Sequence, residues 1–450
     1  MLLRSIVSAM LVAIAFAPAG QSQGTGTNAD VRAGIRSLDL EPVWAGHPVG
    51  FALLTEGDRQ YAAFYAADRR MTVAQRTLGE RLWRYTQLDT SVGWDTHNYI
   101  TMALDRQGYL HVMGNMHGSP LVYFRGTRPW DASSLERIGS MTGQHEERVT
   151  YPVFSYGPDG ALLLQYRDGR SGSGDTFRNS YDESTRTWRS LTDKPLFFGG
   201  AKMNAYPLDP LKGPDGWYHQ VWVWRDTPMS ETNHDLSYAR SRDLVHWETA
   251  GGTALTLPLT IETKGITVDA APVRGGLLNG TQAIGFDAQG QVVISYIRYD
   301  TAGKSQLYFA RFEGGRWAIR QASQWDYRWD FHGGGSIGTE IRVGPLRAAN
   351  GKLTISIEHK IFGSGVWEVD PATMKLTRRL TVLPTTIAGL EESSATELFE
   401  RTAADSGGPR SDGVSYRLTW KTLGENRDRP RPEGAPAATM LRLMVETAGR

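Results

Sequence analysis

Apolar residues along this chain come in short bursts, alternating with polar positions or running together over a few residues, and a helical period is nearly absent. Tyr109–Met113, Ala161–Gln165, Trp217–Trp224 and Gln291–Tyr296 are examples, and each predicts a strand. Between the bursts stand seven turns that place Asp or Asn close to Gly: Glu56-Gly57-Asp58, Asp105 to Gly108, Pro158-Asp159-Gly160, Pro214-Asp215-Gly216, Asp287 to Gly290, Ala349-Asn350-Gly351 and Ser411-Asp412-Gly413. Glycine takes a positive φ at little steric cost, and Asp or Asn bonds the local backbone, so each turn predicts a hairpin. One tryptophan follows each turn (Trp83, Trp130, Trp188, Trp247, Trp317, Trp367 and Trp420), with gaps of 47 to 70 residues. Two independent markers sharing one period predict an all-β, seven-bladed β-propeller, the longer gaps being loops inserted on one face.

Composition narrows the partners. Lys and Arg number 49 against 48 for Asp and Glu, so no global field points to nucleic acid or to an anionic membrane, and any anion must be met locally. The absence of cysteine removes disulfides, thiol nucleophiles and thiolate-bound zinc together. With 50 Gly, 21 Pro and 14 Trp in 450 residues, the chain suits many short strands better than a helical bundle.

Residues 1–19 combine Arg4, an apolar run from Ser5 to Phe16, and Ala17-Pro18-Ala19 in the small-x-small form of a cleavage site, which predicts a signal peptide and a periplasmic or secreted protein. The apolar run is shorter than the ~20 residues that span a bilayer. Residues 20–37 read as a flexible lead and 38–450 as a single propeller domain, soluble and expected as a monomer.

Reactive side chains are densest between residues 94 and 168, in Asp95-Thr96-His97-Asn98, Asn115-Met116-His117, Thr150-Tyr151-Pro152 and Gln165-Tyr166-Arg167-Asp168. His97 precedes a strand and His117 follows the return strand of the next hairpin, so antiparallel pairing predicts that both reach one end of the same blade. Tyr151 and Arg167 repeat this arrangement one blade on. His111, in mid-strand, reads as structural.

These segments resemble the BNR-type lyases that include ulvan lyases and rhamnosyl-glucuronate lyases. The resemblance covers most of the chain after about residue 45 and rests on Asp95-Thr-His97-Asn98, Gly114-Asn-Met-His117 with Pro120 to Tyr123, Thr150-Tyr151-Pro152, Tyr166-Arg167-Asp168, and Trp224-Arg225 with Asn233-His234-Asp235 to Tyr238. It implies β-elimination next to a uronic acid, with His97, Tyr151 and Arg167 as the catalytic residues. The residue types suit that chemistry. A C5 proton is weakly acidic while the adjacent carboxylate keeps its charge, and the planar fork of Arg167 matches two carboxylate oxygens. A base and an acid must then serve C5 and the departing O4, and His97 and Tyr151 fit these roles in either order. Asn98, His117, Arg225 and His234 read as substrate-binding residues.

The implied substrate is a uronate-containing polysaccharide or oligosaccharide with rhamnose on O4 of glucuronate. No cofactor is required, because Arg can do the neutralising and the histidines lack compact metal-ligand spacing; a structural calcium is compatible with the fold. Ser241-x-Asp243 followed by Trp247 resembles the Asp-box of sialidase-type propellers, whose role is structural. Two rival readings remain. A glycoside hydrolase, rhamnosidase or sialidase-like, would draw on Asp95, Asp168 or Asp235, and a non-catalytic glycan-binding propeller would need none of this chemistry.

Overall fold

A computed structural model of the protein describes residues 35–383, 397–408 and 410–447. The leader read in 1–19 and most of the lead read in 20–37 lie outside these residues, while 35–37 belong to the strand Ile35–Val43. All regular structure described is strand apart from two short 3-10 helices, Ala132–Ser134 and Ser230–Thr232. No helix among the described residues is long and apolar enough to cross a membrane.

The strands form seven antiparallel sheets. Four belong wholly or mainly to one compact unit made from residues 35–168, 178–190 and 397–447. The first contains Ala52–Glu56, Arg59–Tyr65, Arg70–Thr77 and Arg84–Ser91. The second contains Ile100–Leu104, Leu110–Gly114, Tyr123–Gly126 and Leu135–Ile138. The third runs from His117–Ser119 through Val149–Tyr156, Leu162–Arg170 and Ser173–Asp182 to Thr187–Ser190. The fourth joins Ile35–Val43 to Thr439–Thr447, Val414–Thr422 and Phe399–Ala404, so that the first and last described strands are neighbours. The other compact unit, residues 169–177 and 191–383, carries three sheets, centred on Tyr218–Arg225 with Asn233–Ser241, on Val292–Tyr299 with Ser305–Glu313, and on Lys352–His359 with Gly363–Val369.

All seven glycines of the expected turns have positive φ. At Asp105–Gly108 the turn chemistry is explicit: Oδ1 of Asp105 accepts from the backbone N–H of Gln107 and Tyr109 at 3.0 and 2.9 Å, and Gly108 closes the turn at φ 87°. The tryptophans are less uniform. Trp188 and Trp317 lie on outer strands, but Trp247, Trp367 and Trp420 lie on strands paired on both sides. The markers therefore do not label seven equivalent repeats.

The fold is an all-β propeller, and the expected count of seven blades is corrected to six. Four of the sheets are built from strands that follow one another along the chain, the second and third interleave because His117–Ser119 leaves the former to pair in the latter, and the remaining one is assembled from both ends of the described chain. A repeat of turns and tryptophans reports local hairpins, whereas pairing between distant strands leaves no period in the sequence.

Inward residues of each sheet make the core. In the first unit Phe51 stacks on Trp420, with centroids 5.1 Å apart and planes 14° apart. In the second, Val293, Leu307, Phe309, Ile355 and Ile357 are buried with Trp329. Burial of each such side chain contributes about 1.5–3 kcal/mol. The Asp-box turn acts structurally, as expected: Oδ1 of Asp243 accepts from the N–H of Val245 and His246 at 2.9 and 2.8 Å, beside buried Trp247.

Candidate active site

His97 lies in the loop that enters Ile100–Leu104. Asp95 shapes that loop, its Oδ1 accepting from the backbone N–H of His97 at 2.9 Å and meeting the ring Nδ1 at 2.8 Å. The other carboxylate oxygen meets Nδ1 of His117 at 2.6 Å. One carboxylate thus aligns two imidazoles, which stack with centroids 4.3 Å apart and planes 30° apart.

His117 arrives by a route different from the one expected. It opens the short strand His117–Ser119, which pairs with Val149–Tyr156 in the third sheet and not with the sheet that holds Ile100–Leu104. The expectation that both histidines share one blade is corrected accordingly, because the turn at Asn115, with φ 60°, sends the chain across to the neighbouring sheet. That turn is held by Asn115 Nδ2, which donates to Thr90 Oγ1 at 2.8 Å and to Ser91 O at 3.0 Å.

Thr150 lies directly opposite His117 on one side and Arg167 on the other. Three adjacent strands therefore put His117, Thr150 and Arg167 at one level, and residues in direct register share a face. Tyr151, as the next residue, would ordinarily point to the opposite face. A bulge between Thr150 and Val153, with Tyr151 at φ 54°, turns it back. Pro152 within the bulge has no N–H to lose from the ladder. A positive φ at a bulky residue costs on the order of 1–3 kcal/mol, and such strain collects at functional sites.

The result is a compact stack. The Tyr151 ring lies 5.8 Å from that of His97, 5.7 Å from that of His117 and 6.5 Å from that of Tyr99. Cζ of Arg167, a buried residue, sits 4.9 Å from the Tyr151 centroid. The imidazole, phenol and guanidinium singled out from the sequence thus meet within one unit.

Asp428 completes the group and had no signal in the sequence. It stands in Asn426-Arg-Asp-Arg429, which reads as a solvated charged loop. Its Oδ1 accepts from the backbone N–H and hydroxyl of Thr96 at 3.0 and 2.8 Å, and its Oδ2 lies 3.3 Å from Nδ1 of His97. Burial alone would lower the pKa of His97, but Tyr151, Asp428 and Asp95 outweigh it and hold the imidazole well above its ordinary value, in the cationic form. Burial works to raise the carboxyl of Asp95, yet its hydrogen bonds to His117 and His97 hold it below the usual carboxylate range. Asp428 is lowered too, burial again being outweighed by His97.

Two polar atoms here lack hydrogen bonds to the described residues although they are buried, Nε2 of His117 and Oδ1 of Asn98. Buried polar atoms without partners are costly and rare, and a site that binds a polar ligand accounts for them. The backbone oxygen of Asn98 is engaged, by the Tyr65 hydroxyl at 2.5 Å and the Asn115 N–H at 3.3 Å.

Asp95, His97 and His117 are also the group whose ligand-type atoms come within 4.8 Å of one another. Both Nδ1 atoms face Asp95 at hydrogen-bond distance, and nearly parallel stacked rings cannot both aim an in-plane lone pair at one ion. The geometry suits proton handling better than cation binding.

Arg225 and His234 lie in the second unit. The Arg225 guanidinium donates to Thr227 O at 3.1 Å, to Pro228 O and to Asn279 Oδ1 at 3.3 Å. His234 is held between Asp235, 2.7 Å from Nδ1, and Asp226, 3.0 Å from Nε2. Burial opposes its protonation, but these two carboxylates raise its pKa. His111, read as structural, is fully buried, with Nδ1 2.7 Å from the Tyr123 hydroxyl.

Among solved structures, that of the polysaccharide lyase Uly1 matches with a TM-score of 0.61 over 97% of this chain and 97% of its own, at 15% identity. A PL25 ulvan lyase, described as a new family of polysaccharide lyase, matches with a TM-score of 0.56 over 90% of this chain and 95% of its own, also at 15% identity. At such identity the likeness is one of fold. No curated protein matches in sequence. The family model described as a BNR repeat-containing family member matches residues 59–325, more than half of the chain. The chain belongs to the BNR repeat-containing family.

Proposed function

We propose that this protein is a polysaccharide lyase that cleaves a rhamnosyl-(1→4)-glucuronate type linkage by β-elimination. The observation that carries the reading is the position of Tyr151, with the stacked imidazoles of His97 and His117 within 5.8 Å of its ring centroid and the Arg167 guanidinium 4.9 Å from it. That the two similar structures are polysaccharide lyases, one of them an ulvan lyase, supports the same class.

Arg167 pairs with the uronate carboxylate and withdraws charge from it, which acidifies the C5 proton. Tyr151 takes that proton as phenolate, with the Arg167 guanidinium 4.9 Å from its ring centroid. The C5–H electron pair becomes the C4=C5 bond as the C4–O4 bond breaks, and the departing oxygen takes a proton from His97, which Asp95 and Asp428 keep charged. The products are a 4,5-unsaturated uronate and a sugar bearing a new hydroxyl. Each positioned acid or base contributes roughly 10²–10⁴ in rate. His117 and Asn98 hold the sugar through their unsatisfied atoms.

The carboxylates that a hydrolase would use are engaged elsewhere. Asp95 serves two histidines, Asp168 meets His145 at 3.1 Å and Arg148 at 3.0 Å, and Asp235 meets His234. Export through the leader read in 1–19, monomeric action and a reaction without a cofactor complete the reading. The test is a near-ultraviolet assay on uronate polymers. A lyase generates an absorbing conjugated double bond, and chain cleavage without that absorbance would overturn the proposal.

A further inference from the structure

Arg69 stands at the tip of the hairpin between Arg59–Tyr65 and Arg70–Thr77, with φ 72°. Its N–H donates to Ala66 O at 2.5 Å, and its carbonyl accepts from Val92 N–H at 3.1 Å, which ties the tip to the segment leading into Trp94 and Asp95. The guanidinium lies 4.1 Å from the Trp44 ring centroid and 5.5 Å from that of Trp94, and the two indoles meet edge to face at 5.1 Å. Trp44 is buried and is anchored through Nε1 to His47 Nδ1 at 3.1 Å.

No carboxylate among the described residues forms an ion pair with Arg69. Asp68, the residue before it, turns its Oδ1 to the backbone N–H of Arg70 at 3.0 Å, while Asp95 and Asp428 serve His97 and His117. A cation partly desolvated by aromatic walls and lacking a counter-ion attracts an incoming anion more strongly than a solvated lysine would. Its planar fork matches two oxygens of a carboxylate or of a sulfate ester. The loop that carries Trp94 carries His97 three residues later, so such an anion would sit beside the reacting sugar.

Resting on the lyase reading, we propose that Arg69, held on Trp44 beside Trp94, is a specificity subsite for a second anionic substituent of the polymer, a sulfate ester or a carboxylate on a sugar flanking the one that reacts. The test measures binding of three rhamnosyl-glucuronate oligosaccharides to the Tyr151→Phe protein, with and without Arg69→Gln. One oligosaccharide is sulfated, one is desulfated, and one is sulfated with its carboxyl groups reduced. Arg69→Gln is expected to weaken binding about tenfold, equivalent to ~1.4 kcal/mol. The loss disappears on the desulfated probe if sulfate is the ligand, and on the reduced probe if carboxylate is. Arg69→Lys, which keeps charge without the fork, is expected to show a smaller loss of the same selectivity and covers the case in which the Gln variant fails to fold.

Equal affinity of both variants and parent for all three probes would leave Arg69 as a cation–π cap and overturn the subsite. If the unsubstituted protein forms unsaturated product while that equality holds, only the subsite fails. If it forms none, the lyase reading falls with it.

Discussion

His97 and His117 stack at 4.3 Å although they come from different sheets, because each gives its Nδ1 to a different oxygen of Asp95. Asp95→Asn removes charge from both contacts at once. Turnover of a uronate polymer is expected to fall by at least about 10²-fold, the range of one positioned acid or base, with the near-ultraviolet assay as readout. Activity within a few fold of the parent would deny the pair its role.

Asp428 acts on His97 from the opposite end of the chain, and its effect has a sign. The pKa of His97 is raised, so a reaction that needs the imidazolium declines as pH rises through that folded value. Asp428→Asn takes away one of the anions that raise it, and the alkaline limb of kcat/KM should move to lower pH. In stability the two partners differ. The contribution of His97 is present in full below the ordinary imidazole pKa and is lost as pH rises through the folded one. The depressed Asp95 and Asp428 contribute above the usual carboxylate range and lose that contribution on acidification. An unmoved pH profile in the variant would separate Asp428 from the chemistry.

Arg167→Ala is expected to abolish the carboxylate clamp. A loss of about 10²–10³ in kcat is typical when one preorganised donor is removed. Circular dichroism like that of the parent would show that the loss is not unfolding, and unchanged turnover would remove Arg167 from the mechanism.

Tyr151→Phe keeps the ring stacked over Arg167 and deletes only the hydroxyl. Turnover should drop to background while oligosaccharide affinity, measured by calorimetry, stays within a few fold. A protein that merely binds glycans would show the same affinity and no activity in either form.

Gly50 shows how the scaffold positions the site. A Cβ there would fall 2.0 Å from Cβ of Tyr99 and 3.1 Å from its Cα, and Gly50 O accepts from Ile100 N–H at 2.7 Å. Gly50→Ala must therefore push the strand that follows Asn98, at a cost of about 1–3 kcal/mol. A lowered midpoint in thermal denaturation, with reduced kcat, is the expected pair of effects.

Much of the fold was legible because turn chemistry and strand periodicity are local. The seven Gly turns could be read residue by residue, and the Asp105 turn forms with the hydrogen bonds that its side chain predicts. Tyr151 and Arg167 were legible as a pair because their strands are joined by one hairpin at Gly160. The sheet of His117 was not, since a single turn at Asn115 decides which neighbour receives it. Nor was Asp428, whose partner lies 331 residues earlier in the chain.

Sequence by itself determined that this chain forms short strands with Gly-closed hairpins, and which reactive residue types are concentrated between 94 and 168. Only the tertiary structure decided that the blades number six, that one sheet is made from both ends of the described chain, and that Asp95 and Asp428 converge on one imidazole. The division follows from range. A turn or an alternating face depends on neighbours a few residues away, whereas strand partners and the charge around a buried ring depend on segments that meet only when the chain has folded.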